Sequence, residues 1–206
     1  MSLLSSFFSF NFLLFLEATI VLFAILDPIG TVPIFLSITE EFSEERKKIV
    51  KQSVILSAII LYVFAYLGWI IFDILGITLN DFRIAGGIVL FTVAYDHLRG
   101  HQEGARKQDA GEVAAFPLAT PLLAGPGAIS TVIIFANPPY GPLVTFLVIT
   151  INAALTYMVL SESVLVQRMF GPNGTKVLTR ITALLIAALA VSFVREGIVN
   201  VIMSLK

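Results

Sequence analysis

The chain has 206 residues, of which 57% are hydrophobic and only 13% are charged, and its net charge is −1. A soluble domain carries about a quarter charged residues, so this composition indicates a protein embedded in the lipid bilayer. The near-neutral charge and the lack of a basic stripe argue against nucleic acid as a partner. The absence of cysteine excludes disulfides, thiolate metal sites and cysteine nucleophiles.

Six apolar runs follow one another along the chain, and most are close to the roughly 20 residues that cross a bilayer. They cover residues 11–39, 48–72, 81–98, 114–137, 142–165 and 177–202. Only 40–51 and 99–112 are long and polar enough to form aqueous loops. We therefore predict an all-α membrane protein with six transmembrane helices. Met1–Leu4 lacks the positive n-region of a signal peptide, so we expect it to belong to the mature protein.

Lysine and arginine are concentrated in the first, third and fifth loops between these runs. Ten of the 13 lie there: Arg46, Lys47, Lys48, Lys51, Arg99, Arg106, Lys107, Arg168, Lys176 and Arg180. Arg83, Arg195 and Lys206 remain for the opposite side. Because cytoplasmic loops carry this excess, we predict a multi-pass protein of the cell membrane with both termini outside.

The two halves of the chain share landmarks at nearly one offset. Pro28 and Pro126 are 98 residues apart, and Arg83 and Arg180, which open further apolar runs, are 97 apart. Two matched landmarks argue against a chance likeness between apolar helices. Each half holds three spans, and an odd number places the second half upside down in the membrane. We predict two inverted three-helix repeats, 1–98 and 113–206, joined by a cytoplasmic linker, 99–112.

A proline break interrupts the first and the fourth apolar run, in Asp27–Gly30 and in Gly125–Gly127. Proline removes a backbone donor and clashes with the preceding turn, and in lipid the freed groups need partners in protein or water. Matching breaks in two halves point to a transporter's binding site. We therefore predict that helices 1 and 4 are broken near the midplane of the membrane, where the substrate binds.

Each break begins a half-helix whose N-terminus carries unpaired N–H groups and about half a positive charge. The expected donors are the amides around two triplets: Ile29, Gly30 and Thr31, and Gly127, Ala128 and Ile129. Together they suit a carboxylate. The Asp27 carboxylate and the last carbonyls of the upstream half-helices supply negative character nearby, which suits a zwitterion. The glycines at 30, 125 and 127 leave room only for a small side chain.

Several polar residues have two interpretations. Asp27 is either a helix cap alone or a functional carboxylate that pairs with an ammonium group or carries a proton. Ser130 and Thr131 either reach the cavity or bond back to their own helix. Asn152, in the middle of the fifth span, either lines the cavity or bonds to a neighbouring helix, and Arg83 is interpreted as an interface anchor. No residue set predicts a metal ion or another cofactor.

The segment Asp27–Phe35, DPIGTVPIF, resembles the first-helix motif of the MarC/SnatA family of bacterial and archaeal membrane proteins. Phe116–Ile129, FPLATPLLAGPGAI, is similar to the fourth-helix motif, and Phe82–Gly87 and Gly171–Gly174 match two further signatures. The resemblance implies a six-helix inner-membrane protein related to the LysE-type exporters. It also implies transport of small neutral amino acids such as glycine and alanine, linked to the proton gradient. Many members carry Asn in place of Asp27.

Three function classes remain to be weighed. The leading hypothesis is a secondary transporter of glycine, alanine and, at the upper size limit, serine or threonine. The alternative is a cation channel or cation transporter that uses Asp27 and the carbonyls of the breaks. An enzyme is not expected, because the chain has no His-Glu-x-x-His or Gly-x-Ser-x-Gly motif, and Tyr95-Asp96 lacks a Gly-x-Gly-Asp partner.

The charge distribution predicts that Lys47 and Arg106 face the cytoplasm. The chain has no cysteine, so a single cysteine at either position gives an unambiguous probe for a membrane-impermeant thiol reagent. We expect no labelling in intact cells and full labelling after permeabilisation. Labelling of either position from outside would contradict the predicted topology.

Overall fold

The computed structural model describes residues 12–99 and 109–204, and within these ranges the chain forms helices and no strands. The predicted all-α class is confirmed for these residues. In chain order the helices are α1 (Phe12–Leu26), α2 (Pro28–Ile38), α3 (Arg46–Leu75), α4 (Leu79–Arg99), α5 (Ala110–Val113), α6 (Pro126–Phe135), α7 (Pro142–Ser161) and α8 (Ser163–Ser204). Between α5 and α6, residues Ala114–Leu123 form an irregular helical stretch that we call the proline segment.

Four stretches are long and apolar enough to cross a membrane: Phe12–Leu36, Arg46–Leu75, Pro142–Leu165 and Ala183–Ser204. A fifth is the pair Ala110–Leu123 and Pro126–Phe135, whose two parts are bent by 61°. Helix α4, at the predicted span 81–98, has 21 residues but is less apolar, since it carries Asp81 and Arg83. The structure thus supports an integral multi-pass protein with up to five of the six predicted spans. The two-fold relation between the halves stays a prediction.

The break predicted between the fifth and sixth spans, at residues 166–176, is wrong. Helix α7 ends at Ser161, and α8 continues without interruption for 42 residues, through the motif Gly171–Gly174. Proline removes one backbone hydrogen bond and often only kinks a helix. Long helical stretches on both sides therefore carry the helix through this motif. The boundary between α7 and α8 is slight, because the amide of Glu162 still donates to the carbonyl of Met158 at 3.2 Å, as in a continuing helix, and the apolar stretch Pro142–Leu165 runs across it.

Helical structure extends into both of the predicted loops. The first one begins after Ile38 and ends at Arg46, whose Nε donates to Oγ1 of Thr39 at 3.2 Å and so closes the turn. Of the predicted linker 99–112, residues 100–108 lie outside the described residues. The remainder is already helical, because the carboxylate of Asp109 accepts hydrogen bonds from two amides of the first turn of α5.

The most extensive helix pairing joins α4 from the first half of the chain with α8 from the second. Small residues allow this approach: a Cβ at Gly87 would stand 2.8 Å from the carbonyl oxygen of Ala190, and one at Gly197 would stand 2.9 Å from that of Asn80. Small residues let membrane helices pack with their backbones close together. Helices α4 and α8 therefore form a tight pair that crosses the predicted boundary between the repeats.

A leucine at position 87 is expected to separate α4 from α8. The clash is with backbone atoms of α8, so a side-chain shift cannot relieve it, and overpacking of this kind costs about 1–3 kcal/mol. We expect Gly87→Leu to lower the thermal unfolding temperature in detergent. Ala85→Leu is the matched control, because Ala85 lies on the exposed face of the same helix. Equal effects of the two substitutions would contradict the close packing.

Candidate functional site

Asp27 is the single residue between α1 and α2, and its backbone has a positive φ of 42°. Its amide still donates to the carbonyl of Phe23 at 3.0 Å, as in a continuing helix. A positive φ costs most residues about 1–2 kcal/mol, whereas Asp and Asn adopt it more readily because their short polar side chains bond locally. The backbone of this break therefore selects the residue type at position 27.

The side chain of Asp27 caps α2. Its Oδ1 accepts a hydrogen bond from the amide of Gly30 at 3.0 Å. Its carbonyl accepts bonds from the amide of Thr31 at 3.0 Å and from the Thr31 hydroxyl at 2.9 Å. Two of the three amides expected to bind a ligand at this break are thus already paired with Asp27. The carboxylate of Asp27 therefore already occupies the N-terminus of α2.

Gly30 is required by this cap. A Cβ at position 30 would overlap the carboxylate of Asp27, with Oδ2 as the nearest atom. The sequence predicts that this glycine limits the ligand to a small side chain. The structure gives it a different reason, because the missing side chain makes room for the capping carboxylate.

The second break is built differently. In the proline segment, the peptide bonds before Pro117 and Pro121 are cis, and Phe116 and Thr120 have extended backbone. The residue before a proline is disfavoured in the helical region, so two X-Pro pairs make this segment irregular before Gly125 is reached. The sequence predicts one break here, at Gly125–Gly127, and not the two that precede it.

Helix α6 begins without a cap. Gly125 precedes Pro126 and has no side chain to accept a hydrogen bond, and a Cβ there would lie 2.5 Å from the carbonyl oxygen of Pro121. The amide of Ile129 donates to the carbonyl of Gly125 at 3.0 Å. Within the described ranges, the amides of Gly127 and Ala128 have no acceptor. The N-terminus of α6 therefore leaves amides available as hydrogen-bond donors, whereas the corresponding amides of α2 are paired with Asp27.

Both breaks line one cavity of about 40 Å³. An enclosed water needs about 10–15 Å³ of such space, so this cavity suits a ligand of only a few non-hydrogen atoms. Six of the eleven residues predicted for the site line it: Asp27, Gly30, Thr31, Gly125, Gly127 and Ala128. The carboxylate of one break and the uncapped helix end of the other thus meet at the same small space.

The opposite wall of the cavity is apolar and was not predicted. It is formed by Leu90 from α4 and by Ile186, Leu189 and Phe193 from α8. These residues lie within ordinary apolar helical runs, and nothing in their spacing distinguishes them from lipid-facing neighbours. Only the packing of α4 and α8 against the breaks identifies them.

Four predicted site residues of the breaks, Ser130 among them, do not line the cavity. Ile29 is 64% exposed, and Ile129 is buried in the core. The hydroxyl of Thr131 donates to the carbonyl of Gly127 at 2.8 Å, one turn back in its own helix. For Thr131 the structure thus favours the local hydrogen bond over a role in the cavity.

Ser130 contacts Arg83, which was predicted to lie at the membrane interface. Its Oγ accepts a hydrogen bond from Nε of Arg83 at 3.3 Å, although Arg83 belongs to α4. The prediction that Arg83 is an interface anchor did not include this partner. Its side chain is directed at α6, one turn beyond the uncapped amides, and it joins α4 to the half-helix of the second break.

Asn152 is fully buried in α7 and holds α1 in place. Its amide nitrogen donates to the carbonyl of Thr19 in α1 at 3.3 Å and to that of Val148 at 2.9 Å. It does not line the main cavity. Its Oδ1 and the hydroxyl of Thr156, one turn further along, are buried without a partner among the described residues.

A smaller cavity of about 10 Å³ lies beside the main one and is lined by Thr156 and Ser57. Leu26 and Leu123, which directly precede Asp27 and Ala124, line both cavities. By the measure used above, the smaller cavity has room for about one water. Leu26 and Leu123 therefore lie between the hydroxyl of Thr156 and the cavity between the breaks.

Asp27 itself is exposed, although it lies in a 25-residue apolar stretch from Phe12 to Leu36. A charged side chain that faces hydrocarbon is costly, and such groups in membrane proteins face a water-filled space or a partner. Its Oδ2 has no hydrogen bond among the described residues. We infer that the cavity at Asp27 is open to water, so that this oxygen is available to a ligand.

Substitutions of Asp27 separate the contribution of its backbone from that of its cap. We expect Asp27→Asn to leave the free energy of unfolding nearly unchanged, since Asn both caps helices and adopts positive φ. Asp27→Ala removes the cap and keeps the strained backbone, at a combined cost of about 2–3 kcal/mol. Unfolding of purified protein in detergent measures both variants. The predicted order is contradicted if Ala and Asn behave alike.

Known proteins are similar to the chain over most of its length. The MarC family of integral membrane proteins matches residues 12–202. A UPF0056 membrane protein of Archaeoglobus fulgidus is 37% identical over 196 residues, which cover 89% of this chain and 92% of that protein. The UPF0056 membrane protein YvbG of Bacillus subtilis is 33% identical over 190 residues, which cover 86% and 90%. No solved structure matches the chain. With a family match over nearly its whole length, the chain belongs to the MarC family of integral membrane proteins.

Proposed function

We propose that the protein is a secondary transporter of small neutral amino acids, with glycine and alanine as its main substrates and serine or threonine at the upper size limit. One observation carries the proposal. The carboxylate of Asp27 and the uncapped amides of Gly127 and Ala128 line the same small cavity. A negative pole and a positive pole in one small cavity suit the ammonium and carboxylate groups of a zwitterion.

The substrate carboxylate binds at the N-terminus of α6. A helix N-terminus has unpaired N–H groups and about half a positive charge, and is a common binding site for anions. The N-terminus of α2 cannot compete for this group, because it is capped by Asp27. The two breaks therefore have opposite roles in the proposal, although the sequence predicts that both helix ends bind the carboxylate.

The substrate ammonium pairs with Asp27. Oδ1 of Asp27 is held by the amide of Gly30, and Oδ2 has no partner among the described residues. The cap therefore fixes the position of the carboxylate in advance of binding, so that less entropy is lost when a ligand pairs with it. The same carboxylate is a candidate carrier of the proton that couples transport to the membrane gradient.

The remaining features of the proposal follow the inverted repeat. In it, the broken spans of the two three-helix halves, interrupted at Asp27 and at Gly125, move against the closely packed pair of α4 and α8 and expose the cavity alternately to the two sides of the cell membrane. Both termini lie outside in this arrangement. The 61° bend between the proline segment and α6 is consistent with a span that is interrupted at the level of the cavity.

A cation pathway is the second candidate, favoured by the exposed carboxylate of Asp27. The two candidates differ in what they carry. Purified protein in proteoliposomes should take up labelled glycine and alanine, and unlabelled serine should compete, whereas leucine and glycinamide should not. Uptake of sodium or divalent cations without amino-acid uptake would overturn the transporter proposal and favour the cation pathway.

Asp27→Asn tests the role of the charge, because the fold tolerates Asn at this position. We expect glycine uptake to fall at least tenfold or to lose its dependence on pH, with unchanged yield and unfolding temperature. Glu17→Gln is the control, since Glu17 lies in the same span and accepts a hydrogen bond from Tyr140, and neither residue lines the cavity. Unchanged uptake and unchanged pH dependence in Asp27→Asn would leave Asp27 as a helix cap alone.

A further inference from the structure

Phe193 occupies the boundary between the cavity and the apolar core. It is half-buried, lines the cavity, and packs against a buried cluster formed by Ile34, Leu90, Ala94, Ile186 and Ala190. Its position on α8 places it opposite the polar wall made by the two breaks. A ring in this position is supported from behind by the core and bounds the cavity in front.

The ring lies directly against the first turn of α6. A Cβ at Gly127 would stand 2.5 Å from Cζ of Phe193 and 3.0 Å from Cε1, closer than carbon atoms approach without bonding. The third neighbour, Cγ2 of Ile25, would be 3.3 Å away. Gly127 is therefore a glycine because Phe193 fills the space that a side chain would need.

We propose that Phe193 sets the upper size limit of the ligand and that Gly127 is the residue that permits it to do so. The inference rests on the proposed function and deepens it. A carboxylate bound to the amides of Gly127 and Ala128 places the ligand's α-carbon beside this ring. A hydrogen or a methyl group fits there, the side chains of serine and threonine reach the edge of Phe193, and larger side chains meet the ring.

The size limit is expected to be graded. One methylene in an apolar pocket discriminates by about 10- to 200-fold. In the unmodified protein, valine and leucine should be transported at least tenfold less efficiently than alanine. Phe193→Ala should raise the efficiency for valine or leucine relative to alanine by about tenfold or more. Phe193→Leu, which conserves more of the packing, should give a smaller shift in the same direction.

Phe91→Ala is the matched control, because Phe91 belongs to α4 and 43% of its surface is exposed away from the cavity. It should leave the ratio of valine to alanine unchanged. Competition assays in proteoliposomes measure the ratio for each variant, and it does not depend on the amount of protein that is reconstituted.

A double-mutant cycle tests the pair directly. Gly127→Ala should reduce alanine uptake more than glycine uptake, because the new methyl group drives the ring into the cavity. Adding Phe193→Ala removes the nearest clash, and the double variant should regain alanine uptake. If Gly127→Ala fails because its methyl group covers the helix end, Phe193→Ala will not rescue it, and the pairing is wrong.

The failures of the two proposals are distinguishable. If the unmodified protein transports glycine and alanine, and Phe193→Ala and Phe193→Leu both leave the valine-to-alanine ratio within about twofold, the size limit lies elsewhere and the transporter proposal stands. If the unmodified protein takes up no amino acid, the proposed function fails and the size limit fails with it.

Discussion

The structure of the cavity depends on one constraint, which is that backbone N–H groups inside a membrane need partners. Each broken span exposes such groups at the start of its second half, and the chain treats the two starts differently. At the first break the carboxylate of Asp27 caps α2 and pairs with the amide of Gly30. At the second break Gly125 provides no cap, and the amides of Gly127 and Ala128 are left for a ligand or for water. This asymmetry gives the cavity its two poles.

The residues that line the polar half of the cavity could be located in the sequence, because that half arises from local chemistry. Proline and glycine act on the backbone where they stand, so Asp27, Gly30, Gly125 and Gly127 could be located from the printed chain alone. The reasons for the glycines could not be found in this way. Gly30 makes room for a carboxylate three residues earlier, whereas Gly127 makes room for a ring 66 positions later in the chain.

The apolar half could not be predicted, since it depends on how distant helices meet. Phe193 and Leu90 look like lipid-facing residues until α8 packs against α4. Asn152 and Arg83 show the same limit in polar side chains, because their partners Thr19 and Ser130 belong to other helices. The helix through Gly171–Gly174 shows the opposite error. The glycine and proline residues of this motif predict a loop, but the backbone there is helical.

The cavity is therefore assembled from two kinds of structure. Its polar groups belong to short, irregular segments at the breaks, whereas its apolar wall belongs to α4 and α8, which are regular and joined through Gly87 and Gly197. We expect a pair of helices packed this closely to move as a single rigid body. A small tilt of that body against the breaks would widen or narrow the cavity without disturbing the polar groups of the breaks. The polar groups and the body that would move against them thus belong to separate parts of one small chain.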